Sequence, residues 1–275
     1  MKRVPLLILL IATFVALSPP ASATFLTLSD GNSSVAVSPD TQAGMYNWTI
    51  NGVNILYQQW FWYRVDNSGP EYSLDHLGAP TVTATADTLR LLYGDPTNFQ
   101  IEVRYSLVGG QPGSSTADIS EQIRINNHAS SPLDMHFFQY SDFDLNRAAG
   151  HSDTLKISPT LQIATQLPAP GGSSTVLSET TLGPQPTYAE ANTGTNTLNA
   201  LNDAFPTTLN GNLSITTPSD VTWAFEWDAM LGSGETLLIS KDKRLAAVPV
   251  PEPAACVLVG GALLALSTKL RKRYA

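Results

Sequence analysis

One cysteine, Cys256, stands in a chain of 275 residues. That excludes an intramolecular disulfide and any cysteine cage for zinc. Charge is also scarce. Asp, Glu, Lys and Arg make up 14% of residues, against roughly 25% in ordinary soluble domains. Positive charge is the scarcer sign, and the formal net charge is −8. A general nucleic-acid binder needs a basic face to displace counterions, so no nucleic-acid partner is expected. No P-loop, dinucleotide-binding glycine motif or H-E-x-x-H occurs. The stretch Gly150-His151-Ser152-Asp153 lacks the second glycine of a G-x-S-x-G nucleophile elbow. No long amphipathic helix is visible. The 43% of hydrophobic residues is enough for a core, which argues against wholesale disorder.

What is there sits unevenly. Lys2 and Arg3 precede an apolar run over residues 4–17, then Ser18-Pro19-Pro20 and Ala21-Ser22-Ala23. A basic start, a short apolar segment and a small-x-small site describe a secretory signal peptide over residues 1–23, removed by signal peptidase after Ala23. At the other end, Pro251-Glu252-Pro253 is followed by an apolar stretch over 254–268, then Lys269, Arg271, Lys272 and Arg273. This fifteen-residue stretch is expected to form a short transmembrane helix, which a snorkelling Lys269 extends. The basic tail stays cytoplasmic by the positive-inside rule. Pro251 and Pro253 hold the chain extended just before that helix, a stiff strip that a protease can read.

Residues 249–275, with Pro251, Glu252 and Pro253, one apolar helix and the basic cluster Lys269 to Arg273, resemble the PEP-CTERM sorting signal of Gram-negative bacteria. The resemblance covers only this tail. It implies sorting by an exosortase, a membrane-embedded protease or transpeptidase, after transient anchoring in the inner membrane. It also implies a final place at the cell surface or outside the cell, in association with exopolysaccharide and biofilm.

Between the two ends, residues 24–248 read as strands. Phe99, Ile101, Val103, Tyr105 and Leu107 alternate with polar residues, as do Ile119, Glu121, Ile123 and Ile125, and Trp223, Phe225 and Trp227. Period-two alternation marks half-buried strands. Residues 55–65 are apolar or aromatic on both faces, as in a strand covered on both sides. Residues 133–140 and 236–240 add strands, and residues 109–113 form a loop. Residues 165–199, rich in Pro, Gly, Ser and Thr, read as long loops with short edge strands. Residues 196–203 allow two helical turns. The expectation is all-β: a single antiparallel β-sandwich of jelly-roll type.

Three constellations carry candidate chemistry. Asp142, Asp144 and Asn146 form D-x-D-x-N, the opening of a calcium loop, but Arg147 stands where glycine belongs. Trp60 and Trp62, with Tyr57, Tyr63, Trp223 and Trp227, could stack on sugar rings, or simply fill a core. Glu226 and Asp228 share one strand face; such a pair serves a glycosidase or is merely solvated. His76, His128, His136 and His151 show no ligand spacing, and His128 and His136 read as lying near strand ends or turns. These readings favour a non-enzymatic, cofactor-free body, structural or adhesive in a matrix. A carbohydrate-binding module is the alternative, and a secreted glycoside hydrolase a distant one.

Overall fold

The computed structural model describes residues 25–145, 152–169 and 175–247. The signal peptide, the sorting tail and Asn146 lie outside them. In chain order the strands are β1 (Leu26–Asp30), β2 (Ser33–Ser38), β3 (Gly44–Ile50), β4 (Val53–Asn54), β5 (Leu56–Val65), β6 (Tyr72–Ser73), β7 (Thr81–Ala84), β8 (Thr88–Gly94) and β9 (Phe99–Gly109). Then follow β10 (Ala117–Asn127), β11 (Leu133–Phe143), β12 (Asp153–Ile157), β13 (Ile163–Pro168), β14 (Thr175–Gly183), β15 (Tyr188–Thr193), β16 (Ser214–Ser219), β17 (Val221–Leu231) and β18 (Thr236–Ala247). A short α-helix, α1 (Asn196–Ala200), precedes β16, and a single 3-10 turn spans Leu74–Leu77.

The strands form two nine-stranded sheets. The first runs β1-β2-β3-β5-β11-β17-β15, with β4 on β3 and β6 on β5; the second runs β16-β12-β13-β14-β18-β10-β9-β8-β7. Pairing is antiparallel except for a brief parallel contact of β3 with β5. The expected β-sandwich is therefore the architecture found. Alternation explains it. On β9 and β10, Ile101, Val103, Ile119 and Ile123 turn inward and are fully buried, while Arg104 and Ser120 face solvent. From the first sheet, Phe61 stacks on Phe137 and Phe143 on Trp223 inside the sandwich. Gly44, at φ +58°, starts β3 in the left-handed region, and a Cβ there would come within 2.3 Å of the Trp60 ring. Glycine is what lets the turn and the indole share that space.

Two features depart from the sequence reading. Residues 165–199 are not mainly loop: β14 lies inside the second sheet between β13 and β18, and β15 edges the first. The core is also not purely apolar. Glu121 of β10, Glu179 of β14, and Lys241 and Lys243 of β18 are all fully buried between the sheets. Lys241 Nζ lies 2.7 Å from Glu121 and 3.2 Å from Glu179, and over the Phe61 and Trp227 rings. Lys243 Nζ lies 2.6 Å from Glu121 and 3.4 Å from Glu179. The two lysines and two glutamates balance in charge, the condition for tolerating ions in a low-dielectric interior.

Candidate active site

The outer face of the first sheet carries a second set of polar residues, brought together by strand register. Directly opposed residues on neighbouring strands point to the same face. Arg64 on β5 opposes His136 on β11, which opposes Asp228 on β17. One row along, Trp62 opposes Phe138, Phe138 opposes Glu226, and Glu226 opposes Tyr188 on β15. Four chemically active side chains from three strands thus meet in two adjacent rows.

The geometry is tight. His136 Nδ1 lies 2.6 Å from Asp228 Oδ1 and 4.0 Å from Glu226 Oε1. Its Nε2 is buried without a hydrogen-bond partner among the described residues and lies 3.8 Å from Asp134. Arg64 is ion-paired with Glu71, bonds the Thr207 carbonyl at 2.9 Å and stacks over Phe138. Asp228 is the member that meets solvent, its side chain 27% exposed, whereas Glu226 is 1% exposed.

What covers Glu226 is a strap, residues 201–213, laid over this face. Its backbone docks on carboxylates: Thr207 N–H donates to Glu71, just before β6, Leu209 N–H to Glu226 Oε2 on β17 and Asn210 N–H to Glu190 Oε2 on β15. Trp62 Nε1–H donates to Asn202 at 3.1 Å, and Ala191 N–H to the Asn212 carbonyl. Leu201 and Leu209 of the strap are themselves buried. The strap helps to bury β5 and β11 on both faces.

Burial pushes the Glu226 carboxyl up to about 8, and the neighbouring Asp228 adds to the rise. The Leu209 N–H and Arg64 oppose it without cancelling it. Glu226 is therefore mostly a neutral acid at pH 7. The sign for stability follows. Below pH 4.5 the carboxyl is protonated in folded and unfolded chains alike. Between pH 4.5 and about 8 the unfolded chain ionises and the folded one resists, so the site costs stability, fully so above 8. Glu226→Gln, which keeps the oxygen acceptor for Leu209, should leave Tm unchanged at pH 4 and raise it by roughly 5 °C at pH 9. A Tm difference that stays flat across that range would mean that Glu226 ionises normally.

His136, Glu226 and Asp228 place one ligand atom each within 4.8 Å of one another, as do Asp142, Asp144 and Asp220. Either group could hold a cation. In the first, the raised Glu226 favours a proton as the bridging charge. In the second, the expected pair Asp142 and Asp144 is joined by Asp220, while Asn146 lies outside the described residues. Tyr140 Oη donates to Asp142 at 3.3 Å.

Several expectations need correction. Trp60 and Trp62 are 0% exposed, so they are core and no sugar platform. Glu226 is not a solvated strand residue, because the strap covers it. His136 lies in the middle of β11, not at a turn. Arg64 and Glu71 were not singled out at all. The signal that could have found them is the doubly apolar pattern of β5, which demands a cover on the outer face and so makes any charge there a buried one.

No protein-family model matches the chain, and no curated protein matches it. Solved structures do share its fold. An aldose 1-epimerase candidate from Escherichia coli K12 superposes with TM-score 0.52 at 11% identity, over 82% of this chain and 99% of that one. A protein from Synechocystis sp. PCC 6803 matches with TM-score 0.52 at 12% identity, over 86% and 100%. A polysaccharide lyase matches with TM-score 0.50 at 13% identity, over 79% of this chain and 33% of that one. At these identities the likeness is one of fold. It nonetheless overturns the structural or adhesive, non-enzymatic reading of the body: this β-sandwich is one that carbohydrate-active enzymes are built on, and here it carries a buried acid beside a histidine–aspartate pair.

Proposed function

We propose that the body is a carbohydrate-active enzyme that interconverts the anomers of a free sugar at the Glu226–Asp228–His136 cluster. The observation that carries this reading is a neutral buried carboxylic acid beside a partly exposed carboxylate anchored by histidine. Two titratable groups whose environments separate their protonation states make an acid and a base. Asp228, held by His136, takes the proton from the C1 hydroxyl of the sugar. The C1–O5 bond breaks with its electron pair passing to O5, and Glu226 delivers its proton there. The open-chain aldehyde rotates about C1–C2. Ring closure then reverses both transfers: Glu226 takes back the O5 proton and Asp228 returns the other to the carbonyl oxygen, forming either anomer. Arg64 and His136 hold the row in register. The aldose 1-epimerase candidate that shares the fold is in line with this choice of reaction.

The test is the rate of α to β conversion of freshly dissolved aldoses, followed by polarimetry with and without the protein. No acceleration with any of glucose, galactose, xylose or their uronic acids would sink the reading.

We propose further that residues 249–275 sort the exported protein through an exosortase-type system, in line with the order of Pro251-Glu252-Pro253, apolar segment and basic cluster. Peptide mass spectrometry of the protein recovered outside the cell should find its C-terminus within residues 250–253. Glu252→Ala should accumulate uncleaved precursor. An intact Ala275 in both proteins would refute the proposal.

A further inference from the structure

The distribution of positive charge is lopsided. Of the basic residues among the described ones, Arg64, Lys241 and Lys243 are buried in ion pairs. The remaining five, Arg90, Arg104, Arg124, Lys156 and Arg244, reach solvent. All five point outward from the second sheet, the face opposite the candidate active site. The alternation shows it: on β8, β9, β10, β12 and β18 their chain neighbours Leu89, Leu91, Val103, Tyr105, Ile123, Ile125, Leu155, Ile157, Lys243 and Leu245 are buried inward. Register then puts Arg90 beside Arg104, Arg104 beside Gln122, and Arg124 beside Glu102.

This face is shaped as well as charged. A trough of about 530 Å³ crosses it, lined by Thr88, Ser106, Ser120 and Ser240 with Arg90 and Arg104. Thr88, Ser106 and Ser120 are in direct register across β8, β9 and β10, so short hydroxyl side chains form the floor where longer ones would fill it. Glu102, buried between the two arginines, accepts the Nε–H of each, at 2.6 Å from Arg90 and 2.5 Å from Arg104. Their guanidinium planes are thereby fixed, and Arg104, held to Glu102 through Nε, has a side chain that is 55% exposed. A planar, pre-set guanidinium suits a carboxylate. Asp118 and Asp242 stand on the same face, and burial together with the hydrogen bond to Asp242 raises Asp118 to about 7, so that it is only about half ionised at neutral pH.

We propose that this trough binds a carboxylate-bearing glycan chain. The hydroxyl floor meets the sugar hydroxyls, and the arginine wall takes the carboxylates. An open trough across three strands fits a linear chain better than a compact phosphate, and arginine rather than lysine, with Lys156 as the one exception, fits planar acids better than a lipid surface.

The test is binding of the full-length protein to polygalacturonate, to neutral dextran and to phosphatidylglycerol vesicles, by biolayer interferometry. Polygalacturonate should bind, and 0.5 M salt should release it. Arg104→Gln should weaken it at least tenfold, and Arg104→Lys, which keeps the charge but not the planar fork, severalfold, a second reading in case the first variant misfolds. Equal binding of dextran, binding of vesicles alone, unchanged affinity in both variants, or no binding at all would each overturn the proposal. Anomer conversion by Glu226 should be unaffected in the arginine variants, so failure at either face is told apart from failure at the other.

Discussion

Lys241→Met should lower unfolding stability by about 3–5 kcal/mol, the usual cost of removing one partner from a buried ion pair. In a body of this size that is a fall in Tm of roughly 6–20 °C. The reason is the uncompensated charge left behind. Without Lys241, Glu121 and Glu179 remain fully buried between the sheets with Lys243 alone. Burial itself favours the neutral form of Glu179, but Lys243 and Lys241, with hydrogen bonds from Gln139 and Trp223, hold its carboxyl down to about 2. That depression contributes stability above pH 4.5 which is lost as pH falls toward 2. Lys241→Met/Glu179→Gln should recover part of the loss, because it restores neutrality. Urea denaturation of the two single variants and the double one closes the cycle. Additive losses would show that the four groups do not act as a unit.

How much of this was legible beforehand follows from which physical signal each feature leaves in the chain. β9 and β10 announce themselves because one face of each is core and the other largely solvent, and period two is the record of that difference; β17 alternates too, but both its faces are covered. The doubly apolar β5 likewise announces a cover. β14 leaves no such record. Its inward residues are Leu177, Glu179 and Thr181, and a strand whose central inward residue is a glutamate looks like loop until its lysine partners are known. Those partners lie on β18, 62 residues away for Lys241. The candidate site was illegible for a similar reason. Glu226 and Asp228 were visible as a pair, but the acidity of Glu226 depends on Leu209 and the strap above it, and its partner His136 arrives only through the register of β11 with β17. Local pattern reports burial on the element that bears it; it does not report which distant backbone will lie across an outward face, nor the register that turns two carboxylates and an imidazole into one cluster.

Glu226→Gln should reduce anomer conversion roughly 100- to 10,000-fold, the range over which a positioned general acid contributes. The substitution isolates the proton. Glutamine keeps the shape and the acceptor for Leu209 N–H, so the strap stays docked and sugar binding is preserved; the loss belongs to kcat, with KM changed little. The pH profile makes the assignment specific. If Glu226 acts as the acid, the wild-type rate falls as pH rises through about 8, since the ionised form has no proton to give. The residual rate of the glutamine variant should lose that alkaline limb. Asp228→Asn gives the complementary result, a comparable loss in which the alkaline limb survives, because the acid is intact and the base is missing. His136→Gln should cost less than either, as it removes the anchor of Asp228 but not the proton acceptor. A variant order with His136 as the most severe loss would instead move the base role to the imidazole, whose buried Nε2 has no partner among the described residues. Full activity in Glu226→Gln would remove the acid on which the proposed chemistry depends.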